Sequence, residues 1–389
     1  MDSPKPAPAR ASAAGLDLGR GRRAVVTELA ETPPEAIERI ALEPMPPVDV
    51  ASLSPRDVVV EVKSASVGWV DLIMTSGQYQ HLPKPPYTPG LEYAGVIAWL
   101  GPEANAPGQP ELAVGQEVLV DPFLAGPRTA GDYQRWGGWA TYAVAPREAI
   151  LRVPGALSLD AACNLLGNYE TAYHCLIARG RLQAGETVLI HGASGATGLA
   201  AVQIAKLLGA TVSATGRSAA KLDLVAAHGA DHLLRIGPDD APDGLASLRD
   251  RVRLLTGGRG VDVVYDGVGG AISAESLRCV AFGARFLLVG WASTPSVSRG
   301  KGGRGAPNAN QLPTNLILMK GVDVLGCPAV ISTIRDPSIR APRLAQVLAW
   351  AAEGRISPHV SHTFPLAEIK EAMRAKWSGE VVGGCVVHP

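Results

Sequence analysis

The first third of the chain shows short apolar runs broken by glycine and proline. Residues 58–62 (Val58-Val59-Val60-Glu61-Val62) and 115–120 read as strands, with turn clusters at 83–90 and 101–110. Residues 121–140 carry few apolar runs and predict a long loop. Past about residue 160 the rhythm changes. Apolar runs at 187–190, 210–215, 231–234, 261–265, 284–289 and 322–325 alternate with helical patterns. In one of these, at 199–208, Ala201, Ile204, Ala205 and Leu208 share a face at spacings 3, 4 and 7. Continuously apolar strands imply a sheet covered on both faces. Six of them with helices between predict an α/β, doubly wound parallel sheet. The last stretch predicts a helix at 343–353, a strand at 360–364, a helix at 366–376 and a final strand at 385–387. One segment breaks the rhythm: 293–313 is a long insertion bearing Arg299, Lys301 and Arg304. Such insertions serve as lids or binding loops.

Composition bounds this picture. A chain of 389 residues suits about two domains at ~150 residues each. The 44 glycines and 31 prolines make up about a fifth of it, below the ~25–30% of low-complexity disorder. They mark many tight turns instead. Net charge is zero, so no global field would hold the chain on nucleic acid or an anionic membrane. No apolar run approaches the ~18 residues of a membrane helix. Residues 1–21 form a Pro/Ala/Ser-rich stretch without the apolar core of a signal peptide, and a disordered tail is expected there. The five cysteines are odd in number and no two lie closer than twelve positions. This is neither a disulfide framework nor a metal cluster. Buried thiols in a reducing cytoplasm are expected.

The strongest chemical signal is His191-Gly192-Ala193-Ser194-Gly195-Ala196-Thr197-Gly198, which follows a strand and opens a helix. Gly195 lets a pyrophosphate approach the backbone, and Gly198 lets helix and strand pack closely. The N–H groups at the helix start, with their positive dipole, receive the phosphate charge. An NAD enzyme would place Asp or Glu about 20 residues on, to bind the ribose 2′-hydroxyl. Here that region reads Thr215-Gly216-Arg217-Ser218, followed by Lys221. Arg grips a 2′-phosphate through two N–H groups and Lys adds a point charge, so NADPH is the expected cofactor.

Further motifs carry a resemblance. They are Ser76-Gly77-Gln78-Tyr79, Pro86-Tyr87-Thr88-Pro89-Gly90-Leu91-Glu92-Tyr93-Ala94-Gly95-Val96, Thr171-Ala172-Tyr173, Asp266-Gly267-Val268-Gly269 and Phe364-Pro365-Leu366. Together with the glycine-rich turn, the chain after residue 22 resembles the medium-chain dehydrogenase/reductase superfamily, in its zinc-independent quinone oxidoreductase-like branch. The resemblance implies a Rossmann domain at 159–330, inserted in a β-rich GroES-like catalytic domain at 22–158 and 331–389. It implies a cleft between them and a homodimer formed through the strand near 322–325. The superfamily's zinc alcohol dehydrogenases carry an early catalytic cysteine and a Gly-His-Glu motif. This chain has Gly90-Leu91-Glu92, no cysteine at 66–77 and no four closely spaced cysteines, so no metal is expected. His359 and His362 flank a predicted strand and are read as structural. Trp69 stands in a stretch where many quinone oxidoreductases have Asn, and Gly383-Gly384 where a Gly-Lys pair is common.

The expected activity is NADPH-dependent hydride transfer to a quinone or an α,β-unsaturated carbonyl, with a small-molecule acceptor as partner. By resemblance Asn168 and Thr171 stand near the nicotinamide, and Gly267, Gly269, Gly290 and Trp291 line the cofactor path. Ser194, Gly195, Ala196, Thr197, Gly198, Gly216, Arg217, Ser218 and Lys221 hold the phosphates and adenosine. Tyr79, or water, supplies the proton, and Asp71 is read as a residue of a helix start. The basic insertion leaves three readings open: a solvated loop, a cover over the NADPH phosphates, or a hold for an acyl-CoA substrate. The last would make the protein an enoyl-thioester reductase. A different class also stays open, a redox-responsive interaction module that binds NADPH with little turnover.

Overall fold

The computed structural model describes residues 21–105, 110–155, 157–238, 241–294 and 310–389. The tail expected at the start and the basic cluster at 299–304 lie outside the described residues. The early strands are β1 (Arg22–Val25), β2 (Ala41–Pro44), β3 (Asp57–Ser66), β4 (Tyr93–Leu100), β5 (Glu117–Val120), β6 (Tyr142–Pro146) and β7 (Ile150–Arg152). Next come β8 (Thr187–His191), β9 (Thr211–Gly216), β10 (His232–Arg235), β11 (Val261–Asp266), β12 (Val280–Leu288) and β13 (Asp323–Gly326). The chain closes with β14 (Val360–Pro365) and β15 (Gly384–His388).

The middle strands form one parallel sheet in the order β10-β9-β8-β11-β12-β13. This is the doubly wound arrangement, and its direction of winding reverses between β8 and β11. The crevice outside the carboxyl ends of those two strands is where such sheets bind ligands. Val188, Leu189, Ile190, Val263 and Val264 are all fully buried, because helices cover both faces.

The outer strands form a second, mostly antiparallel sheet in the order β14-β15-β3-β4-β5-β7, with β6 also on β3. β15 pairs with β3 through Val386 and Ser66, so the two ends of the chain complete one sheet. Gly383, just before β15, ties this sheet to the other. Its N–H donates to the Ser194 carbonyl at 2.8 Å, on the glycine-rich turn itself. Its φ is +66°, and a Cβ there would come within 2.3 Å of the His359 carbonyl oxygen, so only glycine fits.

A buried charge network makes the second tie. Arg340 donates to both oxygens of Asp121 (2.6 and 2.8 Å) and both of Glu170 (3.1 and 2.8 Å). Arg343 donates to Glu170 at 2.9 Å and to the Thr333 hydroxyl at 2.7 Å. Asp121 follows β5, Glu170 lies in the helix Leu166–Tyr173, and both arginines lie in the helix Arg340–Ala352.

The structure adds to the expected elements. β4 begins inside the 86–96 motif and runs past it to Leu100, a stretch in which the sequence pattern predicts no strand. β12 starts at Val280, four residues before the apolar run at 284, and the helix Thr314–Lys320 follows the insertion. His362 lies within β14 rather than beside it.

Removing one partner of a buried ion network strands the others without solvation. Glu170→Ala is therefore expected to lower unfolding free energy by about 3–5 kcal/mol in urea titrations. The exposed pair Arg355–Glu353 should contribute under ~1 kcal/mol in the same assay.

Candidate functional site

The glycine-rich turn leaves β8 and opens the helix Ala196–Leu207, whose N-cap is Gly195. No side chain caps that helix start, so its first N–H groups face outward unpaired by side chains. A Cβ at Gly198 would lie 2.3 Å from the Gly192 carbonyl oxygen, which explains the close packing of turn and helix. At Gly195 the nearest atom would be the same oxygen at 3.3 Å, so the outer side of the turn is open. The Thr197 hydroxyl donates to Asn168 Oδ1 at 2.9 Å and joins the turn to the Leu166–Tyr173 helix. Thr171, one turn along, donates its hydroxyl to the Gly167 carbonyl at 2.7 Å.

The ends of β11 and β12 reach the same crevice. Asp266 is fully buried and accepts from the N–H groups of Val268 and Gly269 at 2.9 and 3.0 Å, fixing the Gly267–Gly269 turn. The Gly290 N–H donates to the Asp266 carbonyl at 3.2 Å, and the Ala292 N–H donates to the Gly267 carbonyl at the same distance. The loops carrying Gly267, Gly269, Gly290 and Trp291 therefore lie side by side, with Trp291 half exposed.

At the end of β9, Arg217 is exposed and Ser218 caps the next helix by accepting from the Lys221 N–H at 3.4 Å. The Lys221 ammonium donates to the Gly379 carbonyl, from the far end of the chain. Burial lowers its pKa, Glu380 works against that, and Arg217 adds to it. Sequence reasoning missed two groups here. Arg235, at the end of β10, donates to the Arg217 carbonyl at 3.4 Å and pairs with Asp243 at 3.0 Å. Glu380 comes from a distant segment, held by the Ser378 hydroxyl at 2.8 Å.

The opposite wall belongs to the outer sheet. Asp71 accepts from the Gly68 N–H at 2.9 Å, closing the first turn of the helix Trp69–Thr75, and from the Leu91 N–H at 3.0 Å. Burial raises its pKa to about 6 despite these donors. Burial raises Glu92 further, to about 7, while its Oε1 accepts from the Gly167 N–H at 2.6 Å. Glu92 thus touches the foot of the helix that carries Asn168. Tyr79 packs with Met74 and Leu91 and meets His81 edge-on, with centroids 5.8 Å apart. The charge of Arg128 bears on Asp71, Glu92 and His81, and its guanidinium lies 5.4 Å from the Phe123 ring centre. Arg128 Nε and His81 Nε2 are buried without a hydrogen-bond partner among the described residues. Arg128 lies in the stretch predicted as loop, where nothing local signals its position. Trp69 stacks on Trp377, centroids 5.6 Å apart, which fixes it as a rigid wall.

Leu91 is buried, with its amide held by Asp71. His359 packs on His228 and His362 stacks on Phe364, so the two histidines do not face each other. Among the described residues no group of three or more His, Cys, Asp or Glu is gathered to hold a metal. No helix among them is long and apolar enough to cross a membrane.

Two family models match the chain. One describes the alcohol dehydrogenase GroES-like domain, over residues 54–155, and one zinc-binding dehydrogenase, over residues 196–336. The chain is 30% identical to mouse quinone oxidoreductase-like protein 2 over 372 residues, covering 94% of this chain and 93% of that protein. It is 27% identical to human quinone oxidoreductase, covering 83% and 87%. Among solved structures, a probable oxidoreductase from Mycobacterium abscessus aligns with TM-score 0.72 at 28% identity, covering 95% of this chain and all of that one. A mycobacterial protein solved in complex with NADPH aligns with TM-score 0.73 at 25% identity, with the same coverage.

The raised pKa of Glu92 has a consequence for stability. Its folded carboxyl holds a proton to about pH 7, against 4.5 ordinarily. The folded state is therefore favoured at low pH, and that advantage is lost as pH rises from 4.5 through 7. Glu92→Gln should remove about 3 kcal/mol of this pH dependence, measured by denaturant unfolding at pH 5, 6 and 8. Superimposable pH profiles for variant and wild type would contradict it.

Proposed function

The chain belongs to the medium-chain dehydrogenase/reductase superfamily, in its quinone oxidoreductase-like branch, and on that premise we propose an NADPH-dependent reductase that delivers hydride without zinc to a quinone or an α,β-unsaturated carbonyl. The observation that carries this reading is the end of β9. There the residues that follow the strand are Arg217, Ser218 and Lys221, cations and a hydroxyl rather than a carboxylate. The open helix start at Gly195 and the crevice beside Gly267 and Gly290 fit the rest of a dinucleotide.

In this reading Ser194, Gly195, Ala196, Thr197 and Gly198 receive the pyrophosphate at the helix start. Arg217 and Lys221 hold the 2′-phosphate, with Gly216 and Ser218 shaping the strand end. Asn168 and Thr171 face the nicotinamide side, and Gly267, Gly269, Gly290 and Trp291 line the path between. Bound NADPH supplies the hydride that reduces the acceptor's electrophilic carbon. One proton completes the reaction, giving reduced acceptor and NADP⁺. Tyr79 is the proposed donor, on the Ser76–Tyr79 turn that the resemblance sets toward the cleft, with its ring edge-on to His81. Burial, and then the charge of Arg128, lowers the pKa of His81. Polarisation by zinc is not part of the scheme, since Leu91 stands where the zinc enzymes of the family have histidine. Pairing of β13 edges, at the open end of the parallel sheet, makes the homodimer of this reading.

Four measurements test the proposal. Calorimetry should show NADPH bound more tightly than NADH, and Arg217→Ala should weaken NADPH about tenfold or more while sparing NADH. Tighter NADH binding would sink the cofactor reading. Oxidation of NADPH should be seen with members of a panel of quinones, enones and enoyl thioesters. Binding without turnover on any would favour an interaction module, and turnover confined to thioesters an enoyl-thioester reductase. Elemental analysis returning one zinc per chain would overturn the zinc-free mechanism. Tyr79→Phe should lower kcat about 10²-fold or more if the phenol is the acid; an unchanged kcat assigns the proton to water.

A further inference from the structure

A second concave site lies on the opposite edge of the parallel sheet, at the amino ends of β11 and β12. It encloses about 430 Å³, within the ~300–1,000 Å³ of small-molecule sites. Five cations line it: Arg249 and Arg253 from the helix Leu248–Leu255, Arg259 from the glycine-rich turn before β11, and Arg278 and Lys320. Arg259 is paired with Asp262, and Arg278 with Glu275 at 3.3 Å. Arg249 and Arg253 have no side-chain ion pair or hydrogen bond among the described residues, and Asp250 and Glu275 are the carboxylates close by.

The lysine sharpens the point. Lys320 is half-buried, and its ammonium donates to the carbonyls of Arg278 and Val280 at 3.0 and 2.9 Å. Burial lowers its pKa. Cys279 opposes that, while the positive charges of Arg249 and Arg253 add to it. Three cations thus face one concavity, and Arg249 and Arg253 both bear on Lys320. At the same site the Phe282 ring is 85% exposed and backed by Gly321. An exposed aromatic face beside unpaired guanidinium groups suits a flat ring bearing a chain of phosphates.

We propose that this cavity binds a nucleoside polyphosphate, with the phosphates on Arg249, Arg253 and Lys320 and the base on Phe282. The site stands apart from the carboxyl-edge crevice, so both can be filled at once. It does not depend on the reductase reading.

The test is calorimetry of the full chain with ATP and with inorganic tripolyphosphate. Arg249→Ala/Arg253→Ala keeps good helix formers at two exposed positions, so the variant folds. It is expected to weaken both ligands by about tenfold or more. Phe282→Ala should weaken ATP and leave tripolyphosphate unchanged. Arg217→Ala, at the other edge, should alter neither isotherm of this site. Equal ATP affinity in wild type and the double variant would overturn the proposal, as would a signal lost in Arg217→Ala instead. An unchanged ATP affinity in Phe282→Ala would overturn the nucleoside part. Light scattering covers the remaining occupant: a wild-type dimer that Arg249→Glu/Arg253→Glu converts to monomer would mean that a second copy fills the cavity, and would overturn the site.

Discussion

Four charges buried between the two sheets organise the molecule. Asp121, Glu170, Arg340 and Arg343 sum to zero, and each finds its partners only when a loop of the outer sheet and two helices meet. Desolvating four ions is costly, so a partial arrangement is worse than none. The network therefore acts as a specificity device for how the units sit. Glu170 lies two residues from Asn168 and one from Thr171. Whatever fixes Glu170 fixes the helix face toward the crevice. From the other side, Glu92 accepts from the Gly167 N–H and pins the same helix at its first turn. The crevice has one wall whose position is set twice, by charges at one end and a buried carboxyl at the other.

The two buried acids of the outer wall give that side an unusual balance. With Asp71 shifted to about 6 and Glu92 to about 7, Asp71 stays mostly ionised at neutral pH while Glu92 is about half protonated. The charge of Arg128 bears on both carboxyls and offsets part of the negative charge they retain.

Much of this was legible in the sequence because it is local. The glycine-rich turn, the apolar strand runs and the Arg217–Ser218–Lys221 cluster are each contiguous, and backbone geometry decides what contiguous residues do. The doubly wound parallel class followed from the alternation of strands and helices, whereas the strand order came only with the structure. What stayed hidden was long-range. Arg340 meets Asp121 across 219 positions, and Lys221 meets Gly379 across 158. Glu92 was visible as part of a motif, but its raised pKa comes from burial that only the packed structure supplies. β4 escaped notice because its run, Tyr93–Leu100, includes Gly95, and glycine reads as a breaker.

The placement of β15 beside β3 bears on how the protein is made. Domains form as units while the chain emerges from the ribosome. The parallel sheet has all its strands by residue 326, yet the outer sheet waits for β15 to return to a strand made some 320 residues earlier. Because the Gly383 N–H donates to the Ser194 carbonyl, the glycine-rich turn acquires this hydrogen bond only after residue 383 has been made. Until then β3, already paired with β6 along Asp57–Glu61, leaves its Ala65–Ser66 end without the strand that covers it.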